Sequence, residues 1–118
     1  MTYKLSLRFF TEEKAFGPGI AQLLHRVQEL HSLRSAAADM GMAYSKAWTI
    51  VKNTEAALGY ALLTSTTGGN HGGGAVLTPE GEALLRAYDT LSDALEKEAD
   101  RLFAETLKTL SGGTQHVD

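Results

Sequence analysis

The feature that most constrains this chain is a glycine-dominated run, Gly68-Gly69-Asn70-His71-Gly72-Gly73-Gly74. It reads as a loop, because glycine loses the most conformational freedom on ordering. Leu62-Leu63-Thr64-Ser65-Thr66 precedes it and Ala75-Val76-Leu77-Thr78 follows it, and both read as strands. Strand, glycine tip and returning strand make a hairpin. An isolated two-stranded hairpin is marginal in water, so the rest of the chain has to cover one of its faces.

What precedes the hairpin is helical. Gly17-Pro18-Gly19 is a breaker, and Pro18 suits the entry to a helix. Ile20, Leu23, Leu24, Val27 and Leu30 then recur at helical spacing, predicting a first helix over about 18–30. Ser32 is placed to cap a second, short helix running to about Met40, with a face of small alanines. Gly41 suits the left-handed turn that ends it. Ala47, Ile50, Val51, Thr54 and Leu58 predict a third helix from Tyr44 or Ser45 to Leu58, stopped by Gly59. Two short helices joined at a glycine turn form a helix-turn-helix, and Ala37, four residues before Gly41, lets the two approach.

At the N-terminus, Tyr3, Leu5, Leu7 and Phe9 alternate with Lys4, Ser6 and Arg8. That period of two predicts a half-buried strand over 3–10, available to extend the hairpin. After the hairpin, Thr78-Pro79-Glu80 has the chemistry of a helix start, and the helix reaches about Leu110. At ~1.5 Å per residue such a helix is ~45 Å long, longer than a domain of this size can cover. Leu84, Tyr88, Leu91, Leu95 and Leu102 nearly keep a heptad seam. The expected occupant of that seam is a second copy of the chain, giving a homodimer. The expected fold class is mainly α with a small β wing: a winged helix-turn-helix over 1–78, a long dimerisation helix over 79–110 and a disordered tail over 111–118.

These motifs carry a family likeness. Gly17-Pro18-Gly19-Ile20, Ser35-Ala36-Ala37 before Gly41-Met42, and Tyr44-Ser45-Lys46-Ala47-Trp48 all resemble ModE-type molybdate-responsive transcription regulators. So does the run from Thr67 to Ala75 followed by Leu77-Thr78-Pro79-Glu80-Gly81, which is the most specific part. The likeness covers roughly residues 4–90, and it extends to the DNA-binding half of LysR-type regulators. It implies a DNA-binding transcription regulator. ModE-type regulators carry oxyanion-binding domains after this unit, whereas this sequence stops shortly after the long helix. The expectation is therefore a DNA-binding half without the molybdate-sensing domain, with no molybdate site and no cofactor.

In a winged helix-turn-helix the third helix enters the major groove with its N-terminal residues toward base edges. Tyr44, Ser45, Lys46 and Thr49 are the candidates there. Lys46 suits a guanine edge or a phosphate, and equally a solvated helix surface. Lys52 and Asn53 lie further along, within reach of backbone. Arg34 and Ser35 open the second helix, where unpaired N–H groups favour phosphate. On the wing, Thr66, Thr67, Asn70 and His71, with Thr64 and Ser65, are candidates for backbone or minor groove. Trp48 reads as a core residue packed on the first helix or the wing.

Charge and composition narrow the alternatives. The net charge is −3, but 79–118 holds four basic and nine acidic residues, while 1–32 and 33–78 are each +1. The acidity therefore belongs to the long helix and tail, and the remainder is only weakly basic; double-stranded DNA as the partner is what the helix-turn-helix, the wing and the resemblance imply. A second reading is a protein-interaction module using the same fold without sequence-specific DNA binding. The absence of cysteine removes disulfides and thiolate chemistry and fits a cytoplasmic protein. No apolar run approaches a membrane span. His25 and His31 are six residues apart, unlike a ligand pair on one helix face. The glycine run lacks the Lys-Ser/Thr ending of a phosphate-binding loop and leads into a strand. No nucleophile, base and orienting group fall at a recognisable spacing, so the chain is not read as an enzyme.

Overall fold

A computed structural model describes residues 1–66 and 74–110. The elements are β1 (Phe9–Phe10), β2 (Lys14–Phe16), α1 (Pro18–Leu30), α2 (Leu33–Asp39), α3 (Tyr44–Leu58), β3 (Leu63–Ser65), β4 (Ala75–Leu77) and α4 (Pro79–Leu110). The architecture is a winged helix-turn-helix with a long helix after the wing. The tail 111–118 lies outside the described residues.

The three short helices form because their apolar residues share one side. Ile20, Ala21, Leu23, Leu24 and Val27 of α1 are buried against Leu33, Ala36 and Ala37 of α2 and Ala47 and Val51 of α3. Ala36, Ala37 and Ala47 have no exposed surface to speak of, so backbones approach closely there. The Ser32 hydroxyl accepts the Ser35 N–H at 3.0 Å, as the spacing predicts for a capping serine. Gly41, at φ +72°, turns the chain, and the Met42 N–H donates to the Ala37 carbonyl at 2.9 Å. Gly59, at φ +87°, ends α3.

His31 closes α1 in the left-handed region, at φ 58°, which costs a residue with a Cβ about 1–2 kcal/mol. The conformation aims its carbonyl at the wing, where it accepts the Ala75 N–H at 3.0 Å. The base of the wing is thereby fastened to the junction of α1 and α2. β3 and β4 pair antiparallel, Leu63 opposite Leu77, Thr64 opposite Val76 and Ser65 opposite Ala75.

The strand expected over 3–10 is shorter and lies elsewhere. Only Phe9–Phe10 pairs, and its partner is β2, in a sheet separate from the wing. Before Phe9, Tyr3 and Leu7 meet α4 instead. The Tyr3 ring packs against Phe103 at 4.7 Å between centroids, and its hydroxyl donates to Asp100. Of the alternating apolar residues, Tyr3, Leu7 and Phe9 are half-buried, whereas Leu5 is 58% exposed.

α4 starts where the sequence places it. The Thr78 hydroxyl accepts the Gly81 N–H at 2.9 Å and donates to the Ala61 carbonyl at 2.7 Å. A Cβ at Gly81 would stand 2.5 Å from the Leu62 carbonyl oxygen, so only glycine permits this crossing. Leu85 and Tyr88 enter the core. Tyr88 is a correction to the expected seam. It is 5% exposed, lies edge-on to Phe9 and Phe16 at 5.3 and 5.2 Å, and donates its hydroxyl to the Leu7 carbonyl at 2.8 Å. Burial raises its phenol above the ordinary value. Beyond Tyr88 the helix leaves the core, and the radius of gyration is 18.0 Å, against ~13 Å for a compact 100-residue domain.

Candidate nucleic-acid interface

α3 is amphipathic in a way that defines the site. Ala47, Val51 and Thr54 are buried, and Thr54 spends its hydroxyl on the Ile50 carbonyl at 2.8 Å. One turn-face away, Ser45, Thr49, Lys52 and Asn53 are exposed. Ser45, Thr49 and Lys52 follow at four- and three-residue steps and therefore form one outward row. Lys46 and Asn53, seven apart, lie on the flank away from the wing. Tyr44 and Trp48 lie on the flank toward it.

That second flank departs from the sequence reading. Trp48 is 48% exposed and is no core residue. It follows Ala47 by one position, a rotation of about 100° on a helix, which carries it off the buried side. With Arg34, Tyr44, Lys52, Thr64 and Ser65 it lines a recess of about 310 Å³ between α2, α3 and the wing. The Arg34 guanidinium stands 4.1 Å over the Tyr44 ring, and the Lys52 ammonium 5.6 Å from the Trp48 ring centre. Both are cation–π placements. They hold two cations at the mouth of the recess.

The carboxylate nearest these cations faces inward. Glu55 Oε2 accepts the Leu62 N–H at 2.7 Å and the Leu63 N–H at 3.3 Å, while Oε1 meets Lys52 at 3.3 Å. Glu55 thus ties the end of α3 to the start of β3 and leaves the outward face to Arg34, Lys46 and Lys52. Sequence reasoning passed over Glu55. Its only local signal is the three-residue spacing from Lys52, and its backbone partners come from the next element. Asp39, the other acid near the turn, is engaged by Arg26 at 2.7 Å.

The structure brings Arg34, Tyr44 and Lys52 together and leaves Ser45, Lys46, Thr49 and Asn53 exposed on the same helix. Ser35 is exposed, and its N–H serves the Ser32 cap, which takes that one N–H out of the expected set. Thr66 is exposed, and its N–H donates to the Gly74 carbonyl at 3.0 Å. A side chain at Gly74 would run into the Thr66 hydroxyl. Thr67, Asn70 and His71 lie outside the described residues. Among the described residues, no group of three His, Cys, Asp or Glu is placed to hold a metal ion. His25 instead meets Asp89 at 2.8 Å. No helix among the described residues is long and apolar enough to cross a membrane.

A glycine-turned helix pair, an outward polar row on its second helix and a strand pair closing the flank define a winged helix-turn-helix protein. The description "Bacterial regulatory helix-turn-helix protein, lysR family" matches residues 21–82, just over half of the sequence. The chain belongs to that family. Among curated proteins it is 32% identical over 102 residues to "DNA-binding transcriptional dual regulator ModE" of Escherichia coli, covering 86% of this chain and 37% of that protein. It is 32% identical over 107 residues to "Transcriptional regulator ModE" of Yersinia pestis, covering 91% and 39%. It is also 37% identical over 75 residues to "Molybdenum-pterin-binding protein MopB" of Rhodobacter capsulatus, covering 64% and 28%. The ModE-type resemblance read from the motifs is borne out by these relatives. The chain spans less than two fifths of the length of each.

Proposed function

We propose that this chain is a DNA-binding transcription regulator unit that inserts α3 into the major groove of duplex DNA and lays the wing along the neighbouring backbone. The observation that carries the reading is the division of α3, with Ala47, Val51 and Thr54 sealed inside, Ser45, Thr49 and Lys52 exposed in front, and Lys46 and Asn53 exposed beside them. Hydroxyl, amide and ammonium groups on one helix face suit base edges and phosphates. Lys46 contacts phosphate or guanine at the groove edge, Arg34 and Ser35 approach the backbone from α2, and Thr66, Thr67, Asn70 and His71 do so from the wing.

The active form is a homodimer. Leu91, Leu95 and Leu102 are 43, 39 and 46% exposed on α4, whereas Leu84, expected in the same seam, is partly buried against the core of its own protomer. A partner's α4 would cover them. Two copies then present two α3 helices to half-sites about 34 Å apart, so the target is pseudo-palindromic. Lack of a catalytic constellation in the sequence fits a binding role rather than an enzymatic one, in the cytoplasm.

The test is retardation of genomic DNA fragments by the full chain across a salt series. Binding is expected at low salt and is expected to fall steeply as salt rises, because phosphate contacts release counterions. Failure to retard any fragment at low salt overturns the reading. Consistent capture of a protein partner with no nucleic acid would favour an interaction module on the same fold.

A further inference from the structure

The recess between α3 and the wing has a chemistry that base reading alone does not require. Trp48 is half exposed there although indole is among the side chains that gain most from burial. Its cationic neighbours sit against aromatic rings. Lys52 is held near its ring, and across the recess Arg34 is held over Tyr44. Thr64 and Ser65 add hydroxyl groups from β3. Glu55 directs Oε2 into the backbone of Leu62 and Leu63, while its Oε1 meets one donor of the Lys52 ammonium at 3.3 Å and leaves that group's other N–H donors for a ligand. Two cations, the hydroxyl residues Thr64 and Ser65, and the Trp48 and Tyr44 rings line a space of about 310 Å³.

We propose that this recess seats one sugar–phosphate unit of duplex DNA, where a strand passes from α3 to the wing. The phosphate oxygens accept hydrogen bonds from the Arg34 guanidinium and the Lys52 ammonium. The C–H face of the deoxyribose covers the Trp48 indole. A phosphodiester suits the recess better than a base edge does, because Tyr44 and Trp48 line it from the flank of α3 and only Lys52 is shared with the outward row. The assignment rests on the DNA-binding reading and adds a contact that is blind to sequence. Changes at Arg34 or Trp48 then weaken all duplexes alike, whereas Ser45 and Thr49 on the outward row govern which duplex is preferred.

Trp48 is the only tryptophan in the sequence, so its emission reports on the recess directly. Acrylamide quenching of the full chain is measured alone, with a random-sequence duplex about three helical turns long, and with inorganic phosphate at matched phosphate concentration. The duplex is expected to lower the quenching constant at least about twofold by covering the ring, and inorganic phosphate to leave it unchanged. Trp48→Ala is expected to weaken every duplex about tenfold, and Trp48→Phe, which keeps a ring, far less. Arg34→Gln is expected to lower the slope of log affinity against log salt by about one phosphate's worth. A duplex that is retarded while Trp48 stays fully quenchable overturns the seat and leaves the DNA-binding reading standing. Protection by inorganic phosphate alone overturns it in favour of a small-anion site. Absence of retardation by any duplex at low salt overturns both. The quenching measurement uses the unaltered protein, so it does not depend on any variant folding.

Discussion

The Glu55 carboxylate receives the backbone N–H of Leu62 at 2.7 Å, across the junction between the recognition helix and the wing. The same oxygen takes the Leu63 N–H at 3.3 Å, and the side chain is only 12% exposed. One acid therefore fixes the angle between the two parts that have to meet DNA together. Glu55→Ala orphans two N–H groups at the head of β3, at a cost of about 1–3 kcal/mol. Thermal unfolding followed by circular dichroism is expected to show a midpoint several degrees lower. Glu55→Gln keeps one acceptor oxygen and is expected to lose less. An unchanged midpoint for the alanine variant would mean that solvent serves these N–H groups equally well.

A second prediction concerns Gly81. Its missing Cβ is what lets α4 cross Leu62, with the carbonyl oxygen at 2.5 Å and the Cα at 3.2 Å from where a Cβ would stand. Both obstacles are backbone, so no rotamer change relieves them. Gly81→Ala ordinarily favours a helix, yet here it is expected to destabilise by about 1–3 kcal/mol through overpacking. Denaturant unfolding gives the sign directly, and a stabilised variant would refute the account.

These two residues also mark the limit of what the sequence discloses. Thr78, Pro79 and Gly81 were legible as a helix start because capping is local chemistry, but the reason for glycine at 81 lies in Leu62, nineteen positions earlier. The bounds of α1, α2 and α3 were legible from apolar spacing and their stops. The alternation over residues 3–10 marks Tyr3 and Leu7, which meet α4 rather than a strand, but it gives no sign that Leu5 stays exposed or that only Phe9–Phe10 pairs. Tyr88 fits a heptad seam by spacing, yet Phe9 and Phe16 claim it for the core. Trp48 lies outside the core because it follows the buried Ala47 by one position, about 100° round the helix. Of the candidate site, the α3 row follows from periodicity, whereas the recess needs α2, α3 and the wing assembled.

The proposed dimer seam separates from the core by the same contrast. Leu91 and Leu95 are exposed on α4, whereas Tyr88 is buried within the protomer. Leu91→Glu combined with Leu95→Glu is expected to give a monomeric mass by sedimentation with the helical circular dichroism retained. Affinity for a two-half-site duplex is expected to drop on the order of a hundredfold, because the second half-site is no longer bound intramolecularly. Tyr88→Phe is expected to leave the mass unchanged and cost about 1 kcal/mol through the lost bond to the Leu7 carbonyl. A double variant that remains dimeric would place the contact elsewhere.

The attachment of the N-terminal segment to α4 carries a pH signature. The Tyr3 hydroxyl donates to Asp100, and that bond leads the causes that push its phenol up to about 12 from an ordinary value of 10.0. Burial and the charges of Asp100 and Glu96 add in the same direction. Because the folded value lies above the unfolded one, the protonated phenol is what the folded chain prefers. The contribution is therefore complete below pH 10 and disappears as pH rises from 10 to about 12. Tyr3→Phe keeps the ring against Phe103 and removes the proton. Subtracting its alkaline absorbance titration from that of the unaltered chain isolates one phenol. The difference is expected to be centred near 12. A difference centred at the ordinary tyrosine value, about 10, would show that Asp100 does not hold this hydroxyl in solution, and that the segment before Phe9 is not fastened to the helix by it.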